Sequence, residues 1–233
     1  MASWMIHLRV ADKLAPRIEN LDETAFVVGN IAPDSGVPNE DWSEFRPPKT
    51  LTHFKTRPDD RTFIDAERFR EIYLDEKTLN GYGPGEFSFF LGYYAHLLTD
   101  VLWIDKIIPS LKIDFPKEYE DDREKLIREA KDDWYDLDFL YLEEHPGFRA
   151  FSVYENAVGF ENVYMEMFDA DAFEKRRRYI CGFYRGNEHG DLHREYRYLT
   201  PGRADTFVNE AAGIILEKIG TLRRPGGTDD LLR

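Results

Sequence analysis

The stretch that decides the fold is Phe87–Trp103, FSFFLGYYAHLLTDVLW. Phe87, Phe89, Phe90, Leu91, Tyr93, Tyr94, Leu97, Leu98, Val101, Leu102 and Trp103 place apolar side chains around most of a helix's circumference. A helix apolar all round belongs in the middle of a domain. Two residues interrupt it, His96 and Asp100. Being four apart, they project from one helix face about a turn from each other. An unpaired carboxylate or imidazole buried in such a helix would be costly. A metal ion shared with ligands from elsewhere is the simplest compensation, and the other ligands must then come from the remainder of the chain.

The bulk properties narrow the class. At 233 residues the chain fits one large domain or two small ones. The aromatic content of 15% supplies material for a substantial core. A charged fraction of 33% and a net charge of −14 argue for a soluble protein and against one that coats nucleic acid, which needs clustered Lys and Arg. The compact basic run Lys175–Arg178 reads as a solvated helix face. Cys181 is the one cysteine, so no intramolecular disulfide can form, which suits a reducing compartment. The opening MASWMIHLRVADKL lacks the pattern of a secretory leader. The longest apolar stretch is broken by His96 and Asp100 and falls short of a clean membrane span. A cytoplasmic location is expected, without stable membrane association.

In chain order, Ser3 is an N-cap candidate for a helix to Lys13 or Pro16 that carries His7 among apolar residues. Taken alone, His7 reads as a core histidine hydrogen-bonded to a carbonyl. Asp22 can cap a second helix, Glu23 to Asn30, which Pro33 and Gly36 end, leaving Asp34 in a turn. Residues 32–60 form a long Pro-rich irregular segment, and the flanking apolar Leu51 and Phe54 make His53 part of a packed loop. A helix starts at Thr62 or Asp65 and runs to Leu74. The central helix follows the Gly/Pro-rich breaker 80–85, and Pro109 is expected to end or kink it. Glu118–Lys131 reads as a charged amphipathic helix.

In KDDWYDLDFLYLEEHPG, Asp132, Asp133, Asp136 and Asp138 alternate with Trp134, Tyr135, Leu137 and Phe139. The segment is either an acidic helix N-terminus favoured by the dipole or a wall of the active site. On the second reading Trp134, Asp133 and Asp136, with Lys106, are candidate substrate contacts. Residues 150–168 and 170–184 read as further helices with aromatic stripes. His189 and His193 have zinc-compatible spacing but read as surface histidines, given the glycines and charges around them. Thr200-Pro201 opens a last helix. No alternating strand run is found. The expected architecture is all-α, about seven or eight helices in a single domain over residues 1–222, with 223–233 a disordered tail.

His7, Asp34, His53, His96 and Asp100 together offer three imidazoles and two carboxylates. That donor set suits zinc, with iron, nickel or manganese as alternatives. Five ligands exceed the need of one catalytic ion, and a carboxylate can bridge two. Two metals about 3.5–4 Å apart are the usual arrangement for phosphoester hydrolysis, in which bound water becomes hydroxide near neutral pH.

WMIHLRVADKL, FVVGNIAPDSG, THF and LGYYAHLLTDVLW, in that order over the first ~110 residues, resemble the zinc-dependent phospholipase C family, whose ligand plan the single-strand-specific zinc nucleases share. The resemblance implies a helical fold, a multinuclear zinc site and hydrolysis of a phosphodiester or phosphomonoester. It implies metal-ligand roles for His7, Asp34, His53, His96 and Asp100, with Asp100 bridging and Asp34 also handling the attacking water. The sequence departs from the family in three places. The secreted members ligate metal through the free amino group of an N-terminal Trp, whereas Trp4 here follows three residues. The family's next histidine position is Lys106, and no His-x-x-x-Glu follows. The third metal is therefore expected to be absent, or its site rebuilt from Asp105, Asp133, Asp136 or His145.

The alternative to a hydrolase of small, soluble phosphoesters is a non-catalytic metal-binding or interaction protein on the same scaffold. A phosphohydrolase of the HD-domain type ranks last, because no histidine here is followed directly by aspartate. The aromatic-rich helices could also supply a homo-oligomer interface.

Overall fold

The computed structural model describes residues 1–41, 43–60, 62–186, 188–222 and 231–232. They form an all-α domain. Its elements are α1 (Trp4–Leu14), α2 (Glu23–Ile31), α3 (Lys49–Thr52), α4 (Ala66–Tyr73), α5 (Glu76–Leu79), α6 (Pro84–Asp114), α7 (Pro116–Glu144), α8 (Arg149–Asn156), α9 (Ala172–Arg185) and α10 (Pro201–Gly220). Side-chain caps set several starts: Ser3 accepts from Ile6 N, Asp22 from Ala25 N, Asp65 from Arg68 N and Thr200 from Arg203 N.

The central helix α6 is buried along most of its length, with Phe87, Phe89, Leu91, Tyr93, Ala95, Leu97 and Trp103 at 0% exposure. It is long and apolar enough to cross a membrane, but 83% of its most apolar window is buried within the protein. Helix α2 lies directly against it at a glycine-to-backbone crossing. A Cβ on Gly29 would sit 2.1 Å from the Phe89 carbonyl oxygen, and one on Gly92 would sit 2.0 Å from that of Phe26. Only glycine allows this approach. Helices α1, α8 and α10 close the other sides, with α1 packed on α2, α8 and α10.

The structure corrects several expectations. Helix α6 runs through Pro109 to Asp114. Pro109 removes one backbone hydrogen bond, but it lies on the exposed side, while Trp103, Ile107 and Leu111 stay buried on the inner side. The acidic segment 132–138 is the middle of α7, not a helix N-terminus. The break in α7 falls earlier, at Asp122, with φ −158° and ψ 86°. The expected helix 150–168 stops at Asn156. Beyond it, Asn162 donates to the Met165 and Phe168 carbonyls and accepts from the Tyr164 and Met165 amides, so its side chain organises a loop in place of a helix. The Phe160–Tyr164–Phe168 spacing is helical, but Tyr164 reaches the core by stacking on Phe89 from that loop, at 4.4 Å between centroids.

One short antiparallel ladder also forms, Val37–Pro38 (β1) against Phe45–Arg46 (β2), inside the Pro-rich segment. Of the expected disordered tail, residues 223–230 and 233 lie outside the described residues. Leu231 is buried and its carbonyl accepts from Glu19 N, while Leu232 bridges to Ile18.

Candidate metal centre

Four elements bring the five sequence-predicted ligands together. His7 comes from the first turn of α1 and Asp34 from the 3-10 turn that continues α2 through Pro33. His53 caps the C-terminus of α3, and His96 and Asp100 come from α6. His7, His53, His96 and Asp100 are 0% exposed, and Asp34 is 8% exposed.

Neighbouring groups fix the orientation of each ligand. The α2–α6 crossing brings the Asn30 carbonyl 2.7 Å from His96 Nδ1. Because a carbonyl only accepts, His96 Nδ1 carries the proton and Nε2 is left with a lone pair. Tyr93 of α6 donates to the Thr52 carbonyl and so holds α3 in place, while Thr52 Oγ1 lies 2.9 Å from His53 Nδ1. The Trp4 indole donates to Asp34 Oδ2 at 2.9 Å, and the Ala2 amide donates to Asp100 Oδ1 at 2.8 Å. The His7 and His96 rings stack with centroids 3.7 Å apart.

The free ligand atoms converge. His53 Nε2 lies 3.4 Å from His96 Nε2, 3.5 Å from Asp34 Oδ1 and 3.7 Å from Asp100 Oδ2. His96 Nε2 lies 3.6 Å from Asp100 Oδ2, and His7 Nε2 lies 3.5 Å from Asp100 Oδ1. The two carboxylate oxygens of Asp100 thus face different histidines. His7 Nδ1 and Nε2, Asp34 Oδ1 and Asp100 Oδ2 are buried without a hydrogen-bond partner.

The electrostatics point the same way. Burial, with the neighbouring His96, pushes His7 down to about 4, and burial also lowers His53, so both rings are neutral at pH 7. Burial alone would raise the two carboxyls. His53 and Lys49 at Asp34, and His7 and His96 at Asp100, outweigh it and hold both well below the usual carboxylate range. Lys49 lies 3.8 Å from Asp34, and the charges of Arg176 and Lys55 also reach the two carboxylates.

This arrangement fits a metal ion. A tetrahedral shell of radius about 2.1 Å separates neighbouring ligand atoms by about 3.4 Å. Lone pairs facing each other at these distances repel unless a cation lies between them. Among the described residues, two buried groups could hold an ion, His7–His96–Asp100 and Asp34–His53–His96. His96 belongs to both but has one free lone pair, so Asp100 is the ligand able to serve both.

A cleft of about 1140 Å³ opens at Asp34 and Trp4. Its lining is of mixed charge, with Lys49, Arg176, Arg194 and Arg197 against Glu129, Asp132, Asp133, Asp136 and Glu188. Arg176 corrects the reading of Lys175–Arg178 as a solvated face. It is 5% exposed, donates to the Gly36 carbonyl and lies over the Trp4 and Tyr179 rings. Ala172, Arg176 and Ile180 share a buried stripe at helical spacing, a periodicity that could have flagged it. Lys49 and the Trp4 indole were missed because their contacts to Asp34 come from distant packing.

The other candidates are placed elsewhere or already engaged. Asp133 accepts from Arg194 and from the Tyr198 and Leu199 amides, and Asp136 also pairs with Arg194. Lys106 sits outside the cleft, paired at 2.6 Å with Glu210 of α10. Trp134 packs edge-on against Trp103, 5.2 Å between centroids, and faces a different groove. Among the described residues, Asp105, Asp133, Asp136 and His145 join neither metal-holding group. His189 and His193 are exposed, and His193 pairs with Glu143. Compared with protein-family models, curated proteins and solved structures, the chain matches none of them.

Proposed function

We propose that the chain is a metal-dependent hydrolase, a phospholipase C-like phosphoesterase acting on a small, soluble phosphodiester or phosphomonoester. The observation that carries this reading is the convergence of His53 and His96 with two buried carboxylates, one of which, Asp34, lines an open cleft. His7, Asp34, His53, His96 and Asp100 would hold the ions, zinc being the best match to imidazole and carboxylate donors, ahead of iron, nickel or manganese. When bound, two such ions would neutralise charge on phosphoryl oxygens and lower the pKa of water toward neutrality.

The chain's own residues supply the rest. Asp34 is the ligand that reaches the cleft, and its carboxylate would orient an attacking water or accept its proton. The Trp4 indole, donating to Oδ2, would hold that carboxylate in place. Lys49 and Arg176 place positive charge where the phosphoryl group enters.

The test combines metal content with turnover. Purified without chelator, the protein should carry close to two equivalents of metal, by elemental analysis against protein concentration, and hydrolyse bis(p-nitrophenyl) phosphate or p-nitrophenyl phosphate. His96→Ala and Asp100→Asn should lose metal and activity together. Full metal content in both variants, or a fully loaded protein inert to both ester classes, would overturn the reading, the latter leaving a non-catalytic metal-binding scaffold.

A further inference from the structure

A second cavity lies away from the cleft, and the proposed hydrolysis makes no use of it. It is a groove of about 480 Å³ between the C-terminal half of α6 and the N-terminal half of α7. That volume is within the ~300–1,000 Å³ usual for small-molecule sites. Its floor is apolar: Ile104 and Ile108 from successive turns of α6, Ile127 from α7, and the Trp134 ring. The three isoleucines are only half-buried, so the groove keeps apolar surface in contact with water.

The rim has the opposite sign to the molecule. The chain carries a net charge of −14, with 45 acidic residues against 31 Lys and Arg. Among the described residues no acidic one lines this groove, whereas Lys55, Lys112, Arg123 and Lys131 do. Two of these cations gather at one ring: Lys112 Nζ lies 5.8 Å and the Arg123 guanidinium 5.4 Å from the Tyr119 centroid. An anion among these cations would relieve their mutual repulsion, and the local field would draw it in despite the overall charge. An apolar floor under a cationic rim is complementary to a ligand with an apolar tail and an anionic head.

We propose that this groove binds a single-chain anionic amphiphile of the fatty-acid class, its tail along Ile104, Ile108 and Ile127 and its carboxylate at the Lys112–Arg123–Lys131 rim. Head and tail contribute differently. The tail gains from burying apolar surface, while the head selects by charge and weakens with salt. None of its side chains is among the proposed ligands, although Lys55 and the Met1 amino group, which line it, lie within electrostatic reach of Asp100.

The test uses the full chain with decanoate below its micelle concentration, and decylammonium as the matched cation. Binding is followed by tryptophan emission and by titration calorimetry. Decanoate should bind one per chain, and decylammonium should not bind at the same concentration. Lys131→Glu combined with Arg123→Glu should weaken decanoate by about tenfold or more. Both residues are exposed, so far-UV circular dichroism and metal content should stay unchanged. Trp134→Phe should remove the emission change but leave the calorimetric signal. Equal binding of the two head groups, or indifference to the charge reversal, would overturn the proposal. Binding to phosphatidylglycerol vesicles without binding of monomeric decanoate would also overturn it, making the groove a membrane contact.

Discussion

Asp138 shows how much a single residue's surroundings decide. It is 2% exposed, and its partners are two hydroxyls, Ser3 at 2.8 Å and Tyr184 at 2.6 Å. Burial pushes its carboxyl up from 3.8 to about 7. The folded value lies above the unfolded one, so between about pH 4 and 7 the folded state binds the proton more tightly. Stability from this group is therefore present at low pH and is lost as pH rises through 7, at ~1.4 kcal/mol per pKa unit. Asp138→Asn should stabilise the protein at pH 8 by a few kcal/mol and have little effect at pH 4, as read from urea denaturation at the two values. An equal effect at both would mean that the carboxyl is not desolvated in this way. Asp138 was visible in the sequence only as one aspartate of a mixed acidic segment, because nothing local marks it as the one facing inward. The residues of the candidate metal centre stood out in the sequence for the converse reason. His7, His96 and Asp100 are polar interruptions of apolar runs, and burying them without compensation would be costly.

At the scale of elements, the contact between α2 and α6 ties fold to site. Gly29 and Gly92 let the two backbones meet, and that approach delivers the Asn30 carbonyl to His96 Nδ1. A methyl group at Gly92 would meet the Phe26 carbonyl oxygen at 2.0 Å, with backbone unable to yield cheaply. Gly92→Ala should cost about 1–3 kcal/mol or more, the range for overpacking, and should weaken metal binding although residue 92 is no ligand. The paired readouts are thermal melting and metal affinity. Unchanged metal affinity in a destabilised variant would show that the crossing does not position His96.

Helix starts were legible because capping is local: Ser3, Asp22, Asp65 and Thr200 cap as their sequence positions imply. Interiors and ends were less so. Proline is a local breaker, yet buried packing on the inner side carries α6 through Pro109. Conversely, the apolar spacing of residues 160–168 is helical, yet one asparagine side chain captures the backbone groups a helix would need.

For the molecule as a whole, the apo state carries an unresolved cost. Imidazole lone pairs and carboxylate oxygens confront one another in a buried centre, and any ion bound there stabilises the fold by mass action. Removing metal with a chelator at neutral pH should lower the melting temperature by several degrees, and adding zinc back should restore it. At a free metal concentration one hundred times the dissociation constant the linkage is worth about 2.7 kcal/mol. A melting temperature indifferent to chelator in a sample shown to contain metal would place the ion somewhere other than this centre. The all-α architecture was legible as a whole because one helix apolar on all sides requires others to surround it. The groove between α6 and α7 was not, since its rim draws on Lys55, Lys112, Arg123 and Lys131 from three separate segments.

The placement of the five ligands along the chain has a consequence for synthesis. All of them lie within residues 7–100, whereas α10, one of the walls against which α1 packs, is translated well after them. At ~5–20 residues per second, the ligands wait on the order of ten seconds on the ribosome before that wall exists. During that interval an ion captured by His7 and Asp100 would hold α1 against α6 in place of the missing helix, so with metal bound at this centre the supply of metal to the cell would bear on how the nascent chain matures as well as on the finished protein.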